Sequence, residues 1–93
     1  MPEKQTVVFT DLHGSTAVFE ALGNARATEV VTGYNRAIAL VIETHSGHVV
    51  KTLGDGLLAI FDTAQQAVDA AVGIQRQHLA LLAEVPPNQR MPV

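Results

Sequence analysis

Two short apolar runs, His48 to Leu53 and Leu57 to Phe61, flank Gly54-Asp55-Gly56. This arrangement constrains the chain more than any other feature. β-branched and aliphatic residues on both sides of a glycine-rich tip predict an antiparallel hairpin. A hairpin alone is marginal in water and needs further elements on one face. Thr6 to Leu12 supplies a third strand, short and apolar at Val7, Val8 and Phe9, and followed by Gly14. Ser15 and Thr16 offer N-cap hydroxyls for a short helix through Leu22, closed by Gly23.

A longer helix is predicted from Asn24 or Ala25 to Thr44. Val30, Tyr34, Ile38 and Ile42 recur at every fourth residue on one face, and Gly47 supplies the stop. Thr63 to Gln66 has the form of a capping box for a third helix. Ala64, Ala67, Val68, Ala71, Val72 and Leu79 form its predicted apolar face, and Pro86-Pro87 ends it. Gly73 inside this helix reads either as a close contact with the sheet or as a weak spot in the helix. Arg90 to Val93 reads as the approach to another strand. The order strand, helix, helix, strand, strand, helix predicts an α+β sandwich with the helices on one face of an antiparallel sheet.

Bulk properties narrow the chemistry. Ninety-three residues make one domain or part of one. The hydrophobic fraction of 47% supports a core, although three Phe and one Tyr are the only aromatic residues. The net charge of -3, without a Lys/Arg cluster, argues against nucleic acid as a partner. The absence of cysteine excludes disulfides and thiolate metal sites. No apolar run is long enough for a membrane segment, and Met1 to Gln5 is short and polar. A soluble cytoplasmic protein, or a domain from a larger one, is the expected setting.

Two carboxylates stand out. Asp11 ends the first strand and Asp55 sits at the hairpin tip. If either hairpin strand lies beside the first, the carboxylates converge, and their repulsion calls for a cation between them. Oxygen donors without cysteine suit Mg²⁺ or Mn²⁺, held by two carboxylates and substrate phosphates. Leu12 to Thr16 adds a glycine and a helix start, which is an anion site suited to a triphosphate. Taken singly, Asp11 also reads as a cap, Asp55 as a turn residue, Ser15 and Thr16 as caps and Lys51 as a solvated edge lysine. Spacing alone does not choose between these readings. His13, His45, His48 and His78 are scattered and read as surface or packing residues.

The combination resembles class III adenylate/guanylate cyclase catalytic domains. Val7-Val8-Phe9-Thr10-Asp11-Leu12-His13-Gly14-Ser15-Thr16 is similar to the first metal motif of that family. The run from Val49 through Lys51-Thr52-Leu53-Gly54-Asp55-Gly56 to Phe61 is similar to the second. The resemblance implies a ferredoxin-like palm sandwich of the nucleotidyl cyclase type, which this chain leaves before its later strands, so that residues 1–93 form a partial domain. It implies formation of 3′,5′-cyclic AMP, or less readily cyclic GMP, with release of pyrophosphate at a dimer interface. Asp11, Asp55 and the Leu12 carbonyl would hold two Mg²⁺ or Mn²⁺ ions. Leu12, His13, Gly14, Ser15 and Thr16 would line the triphosphate. Lys51 matches the purine-selecting lysine, favours ATP over GTP, and would serve the site opposite its own chain's aspartates. The Asn and Arg that stabilise the transition state in the family have no counterpart among these residues, so this stretch alone is expected to be nearly inactive.

The missing later strand would leave Val7, Val8 and Phe9 on an open edge, which predicts a homodimer or a domain-swapped assembly. The alternative is a truncated, non-catalytic dimerisation or nucleotide-binding module. A diguanylate cyclase is disfavoured, because Gly54-Asp55-Gly56 does not fit the acidic, aromatic tip of that family.

Overall fold

The computed structural model describes residues 4–93, so Met1, Pro2 and Glu3 of the polar N-terminal stretch lie outside the described residues. The elements are β1 (Thr6–Asp11), α1 (Ser15–Leu22), α2 (Asn24–Thr44), β2 (His48–Leu53), β3 (Gly56–Phe61) and α3 (Ala64–Glu84). A single 3₁₀ turn, Pro87–Gln89, follows. The described strands form one antiparallel sheet in the order β1-β3-β2. β3 is central, as its burial along nearly its whole length requires. The predicted α+β architecture with helices on one sheet face is the observed one.

Pairing assigns each side chain to a face. Val8, Thr10, Leu57, Ala59 and Phe61 share the face under the helices, since directly opposed residues point the same way. Val7, Phe9, Leu58 and Ile60 share the other face, which no described element covers; Val7 and Phe9 are 54% and 68% exposed. β1 pairs with β3 alone, so its outer edge is open among the described residues.

α2 buries Ala27, Val31, Tyr34, Asn35, Ile38 and Ile42, close to the predicted stripe, with Val30 at its margin. Gly47 follows its end as expected, and the left-handed residue there is Ser46 (φ 65). Ser46 N–H donates to the Glu43 carbonyl at 3.1 Å, and Gly47 N–H to that of Ile42 at 2.8 Å. These are the paired bonds of a Schellman end. Gly47 is required for space: a Cβ there would collide with the Phe61 ring and lie 2.7 Å from Ile42 Cγ2.

Three expectations are corrected. α1 is capped by Gly14 (φ 81) with no side-chain hydrogen bond, so Ser15 is its first helical residue and neither Ser15 nor Thr16 caps it. α3 opens on the predicted capping box, Thr63 with Gln66. It buries Ala67, Ala70, Ile74 and His78, whereas Val68, Val72 and Leu79 are exposed. The predicted stripe was rotated because an apolar-residue count leaves out His78. A Cβ on Gly73 would lie 3.1 Å from Val41 of α2 and 3.2 Å from His45 just past its end, so the close approach is toward α2 and not toward the sheet.

Arg90 to Val93 forms no strand. Side chains and one loop amide hold the segment instead. Tyr34 O–H donates to the Gln89 carbonyl at 2.8 Å, His78 Nε2 to that of Met91, and Gln75 Nε2 to that of Val93 at 2.8 Å. Met91 is fully buried and plugs the core beside these bonds.

Gly33 faces open space on α2, whereas Gly47 is enclosed. Gly33→Ala should raise stability by about 0.5–1 kcal/mol through helix propensity. Gly47→Ala should lower it by about 1–3 kcal/mol through overpacking. Urea unfolding of the two variants distinguishes these signs. Burial raises the Tyr34 pKa above its ordinary value, partly offset by the backbone at Met91 and by Arg90. The unfolded chain therefore ionises first, so this contribution to stability is complete below about pH 10 and is lost above it. Tyr34→Phe should cost about 1 kcal/mol at neutral pH and flatten the alkaline limb of a stability–pH curve.

Candidate functional site

β1 and β3 close on each other at the end of the sheet that carries the two aspartates. Asp11 pairs with Gly56, and Leu12 N–H donates to the Asp55 carbonyl at 3.3 Å. Thr10 Oγ1 accepts from Leu57 N–H at 3.1 Å, a side-chain bond added to the ladder one residue before Asp11. Gly56 makes this closure possible: a Cβ there would run into the Thr10 carbonyl and lie 3.3 Å from Asp11 Cα. Leu12 anchors the junction by burying its side chain in the core.

The structure thus brings the Asp11 and Asp55 backbones together. Their side chains border different hollows. Asp11 and His13 line one beside α3, with Val8, Thr10 and Ile74. Asp55 lines another beneath α2. Asp11 is exposed and Asp55 half-buried. Among the described residues no cluster of three His, Cys, Asp or Glu side chains is poised around a metal. Two carboxylates on paired strands are nevertheless a donor set of the kind that fits Mg²⁺, which takes few protein ligands and keeps its water and phosphate oxygens.

The segment Leu12 to Thr16 has fewer free amides than the sequence implies. Leu12 N–H goes to Asp55 and His13 N–H to the Pro92 carbonyl, at 2.7 Å. The amides of Gly14, Ser15 and Thr16, at the start of α1, carry no backbone bond among the described residues. No side chain approaches the position a Gly14 Cβ would take.

Lys51 lies on β2, exposed, opposite Leu58, which in turn faces Phe9. It therefore shares the open sheet face with Asp11. It stands two strand spacings away, about 10 Å across the sheet, and one pleat repeat back. The fold does not bring Lys51 to its own chain's aspartates. Sequence reasoning missed Thr10, whose only signal was its place before Asp11, and the Pro92 carbonyl, for which no local signal exists.

The model of the adenylate and guanylate cyclase catalytic domain matches residues 2–91. The chain belongs to this family. Among its cyclase relatives is the receptor-type adenylate cyclase B of Leishmania donovani, 31% identical over 77 residues, which are 83% of this chain and 6% of that protein. An adenylate cyclase of Glutamicibacter nicotianae is 26% identical over the same length and matches across 19% of its own. A solved bacterial light-regulated adenylyl cyclase superposes with a TM-score of 0.79 at 21% identity, over 92% of this chain and 28% of that one. The cyclase catalytic fold is therefore shared, and this chain spans a small part of each relative. No helix among the described residues is long and apolar enough to cross a membrane.

Gly56→Ala should separate β1 from β3 at the aspartates and destabilise the chain by about 1–3 kcal/mol. Hydrogen exchange at the Leu12 and Leu57 amides is expected to rise well above that of core amides in β3.

Proposed function

We propose that this chain supplies part of the catalytic domain of a nucleotidyl cyclase that forms 3′,5′-cyclic AMP, or less readily cyclic GMP. The observation that carries the reading is the junction of Asp11–Leu12 with Asp55–Gly56, held by backbone pairing in a cyclase-family fold. Asp11, Asp55 and the Leu12 carbonyl are the oxygen atoms proposed to hold two Mg²⁺ or Mn²⁺ ions. When bound, such ions neutralise the triphosphate and acidify the attacking hydroxyl.

The remaining roles belong to the chain. The free amides of Gly14, Ser15 and Thr16 donate to triphosphate oxygens, helped by the positive end of α1. The ribose 3′ oxygen forms a bond to the α-phosphorus as the bond to the bridging oxygen of the β-phosphate breaks. The hydroxyl proton passes to solvent and pyrophosphate leaves. Lys51 reads the purine bound at a partner's aspartates, which agrees with its distance from its own. The uncovered apolar face, with Val7, Phe9, Leu58 and Ile60, supports a homodimer, and the open β1 edge supports strand exchange as a second route.

The test is cyclic nucleotide production from ATP and GTP with Mn²⁺, on the protein as its cell makes it and on residues 1–93 alone. The cellular protein should make cyclic AMP, and Asp11→Ala or Asp55→Ala should each lower turnover by at least about 100-fold. The 93-residue chain should stay near background, since much of the charge stabilisation that drives phosphoryl transfer is expected from residues outside it. A folded cellular protein without turnover would sink the cyclase reading in favour of a dimerisation or nucleotide-binding module.

A further inference from the structure

α3 carries two apolar faces. One is buried: Ala67, Ala70, Ile74 and His78 pack toward the sheet and α2. At about 100° per residue, Val68, Val72 and Leu79 fall within about 40° of one another, about 130° round the helix from that face. These three are 56%, 45% and 67% exposed. Ala64 and Ala83, also exposed, extend the stripe toward the two ends of the helix. Single apolar side chains at a surface are ordinary, whereas an aligned stripe marks an interaction surface.

The order of residues along α3 points to the occupant. Ala64 with Ala83, Val68 with Leu79, and Asp69 with Arg76 are pairs centred within about one residue of Gly73. Asp69 and Arg76 are exposed and flank the stripe on the same side. They stand about 10 Å apart along the axis, too far to pair within one helix. Gln65 Nε2 donates to Asp69 Oδ1 at 2.9 Å and steadies the carboxylate, and Arg76 forms no ion pair among the described residues. A helix whose two halves match in apolar residues and oppose in charge is complementary to an antiparallel copy of itself.

We propose that α3 is a self-association surface, on which a second copy of this chain packs its own α3 antiparallel about a two-fold axis at the level of Gly73. Val72 meets Val72 of the partner subunit beside the axis. Val68 meets Leu79 of the partner subunit, and Asp69 meets Arg76 of the partner subunit, each contact being made twice. The alanines at both ends let the helix axes approach to about 8–10 Å. A single helix pair buries less than a standard interface, so the contact is weak, with a Kd of about 100 µM. The stripe points away from the open sheet face, so this pairing does not compete with one across that face. It stands on α3 alone and does not require that the chain be catalytic.

The chain has no cysteine, so introduced thiols report the register through a short bismaleimide cross-linker. Val72→Cys should cross-link to itself at about 100 µM chain. Val68→Cys and Leu79→Cys should each cross-link poorly alone, because like positions stand about 16 Å apart along the axes, and efficiently when mixed. In the Val72→Cys background, Asp69→Arg or Arg76→Asp should slow cross-linking about 10-fold, and the two together should restore it. Restoration separates a contact between copies from damage to the fold. The proposal is overturned by absence of cross-linking at Val72→Cys, by Val68→Cys linking to itself as readily as to Leu79→Cys, or by a charge-swapped chain as slow as the single variants.

Discussion

Gly56 is where β1 and β3 come too close for any side chain: a Cβ there would strike the Thr10 carbonyl. The candidate site depends on that approach. It sets the register that pairs Asp11 with Gly56, lets Leu12 N–H reach the Asp55 carbonyl, and aims the start of α1 past the same sheet end. The ladder around it is reinforced on one side by Thr10 Oγ1 and on the other by the buried Leu12 side chain. Backbone pairing, and not contact between the two side chains, holds Asp11 and Asp55 at this end of the sheet.

The sheet is used asymmetrically. One face is sealed by α2 and α3 with Phe61, Ile38 and Ile42 at its centre, and the other leaves Val7 and Phe9 in solvent. The aspartate end, the free amides of α1 and Lys51 all open toward surface that no described residue covers. The chain spans a small part of each relative it matches. The segment after α3 adds a constraint of its own. Tyr34, His78, Gln75 and His13 each hold one of its carbonyls, so Met91 is drawn into the core and His13 is tied to Pro92.

Much of this was legible in the sequence. Short apolar runs on either side of Gly54-Asp55-Gly56 announced the hairpin, the four-residue recurrence of Tyr34, Ile38 and Ile42 announced α2, and the capping box announced α3. These signals are local, and each element obeys them within a residue or two. The misreadings share one physical origin. The buried face of α3 turned because His78 finds a carbonyl only in the folded chain. The Arg90 to Val93 segment forms no strand, and its Met91, Pro92 and Val93 carbonyls are held by His78, the His13 amide and Gln75. In each case a long-range partner, invisible in a window of neighbours, decided the outcome.

Lys51 marks the boundary between the two kinds of information. The sequence by itself determined that a lysine stands four residues before Asp55 on a strand, within a pair of motifs that name the family. Simple alternation would put it on the same side as Val49, under the helices. The tertiary structure decided otherwise: the pairing of β2 with β3 slips between Val49 and Lys51, Val50 becomes the extra residue, and Lys51 turns to the open face with Phe9 and Asp11. A bulge exists only relative to a partner strand. For that reason the chain could state which residues carry charge, and only the assembled sheet could state which side they face.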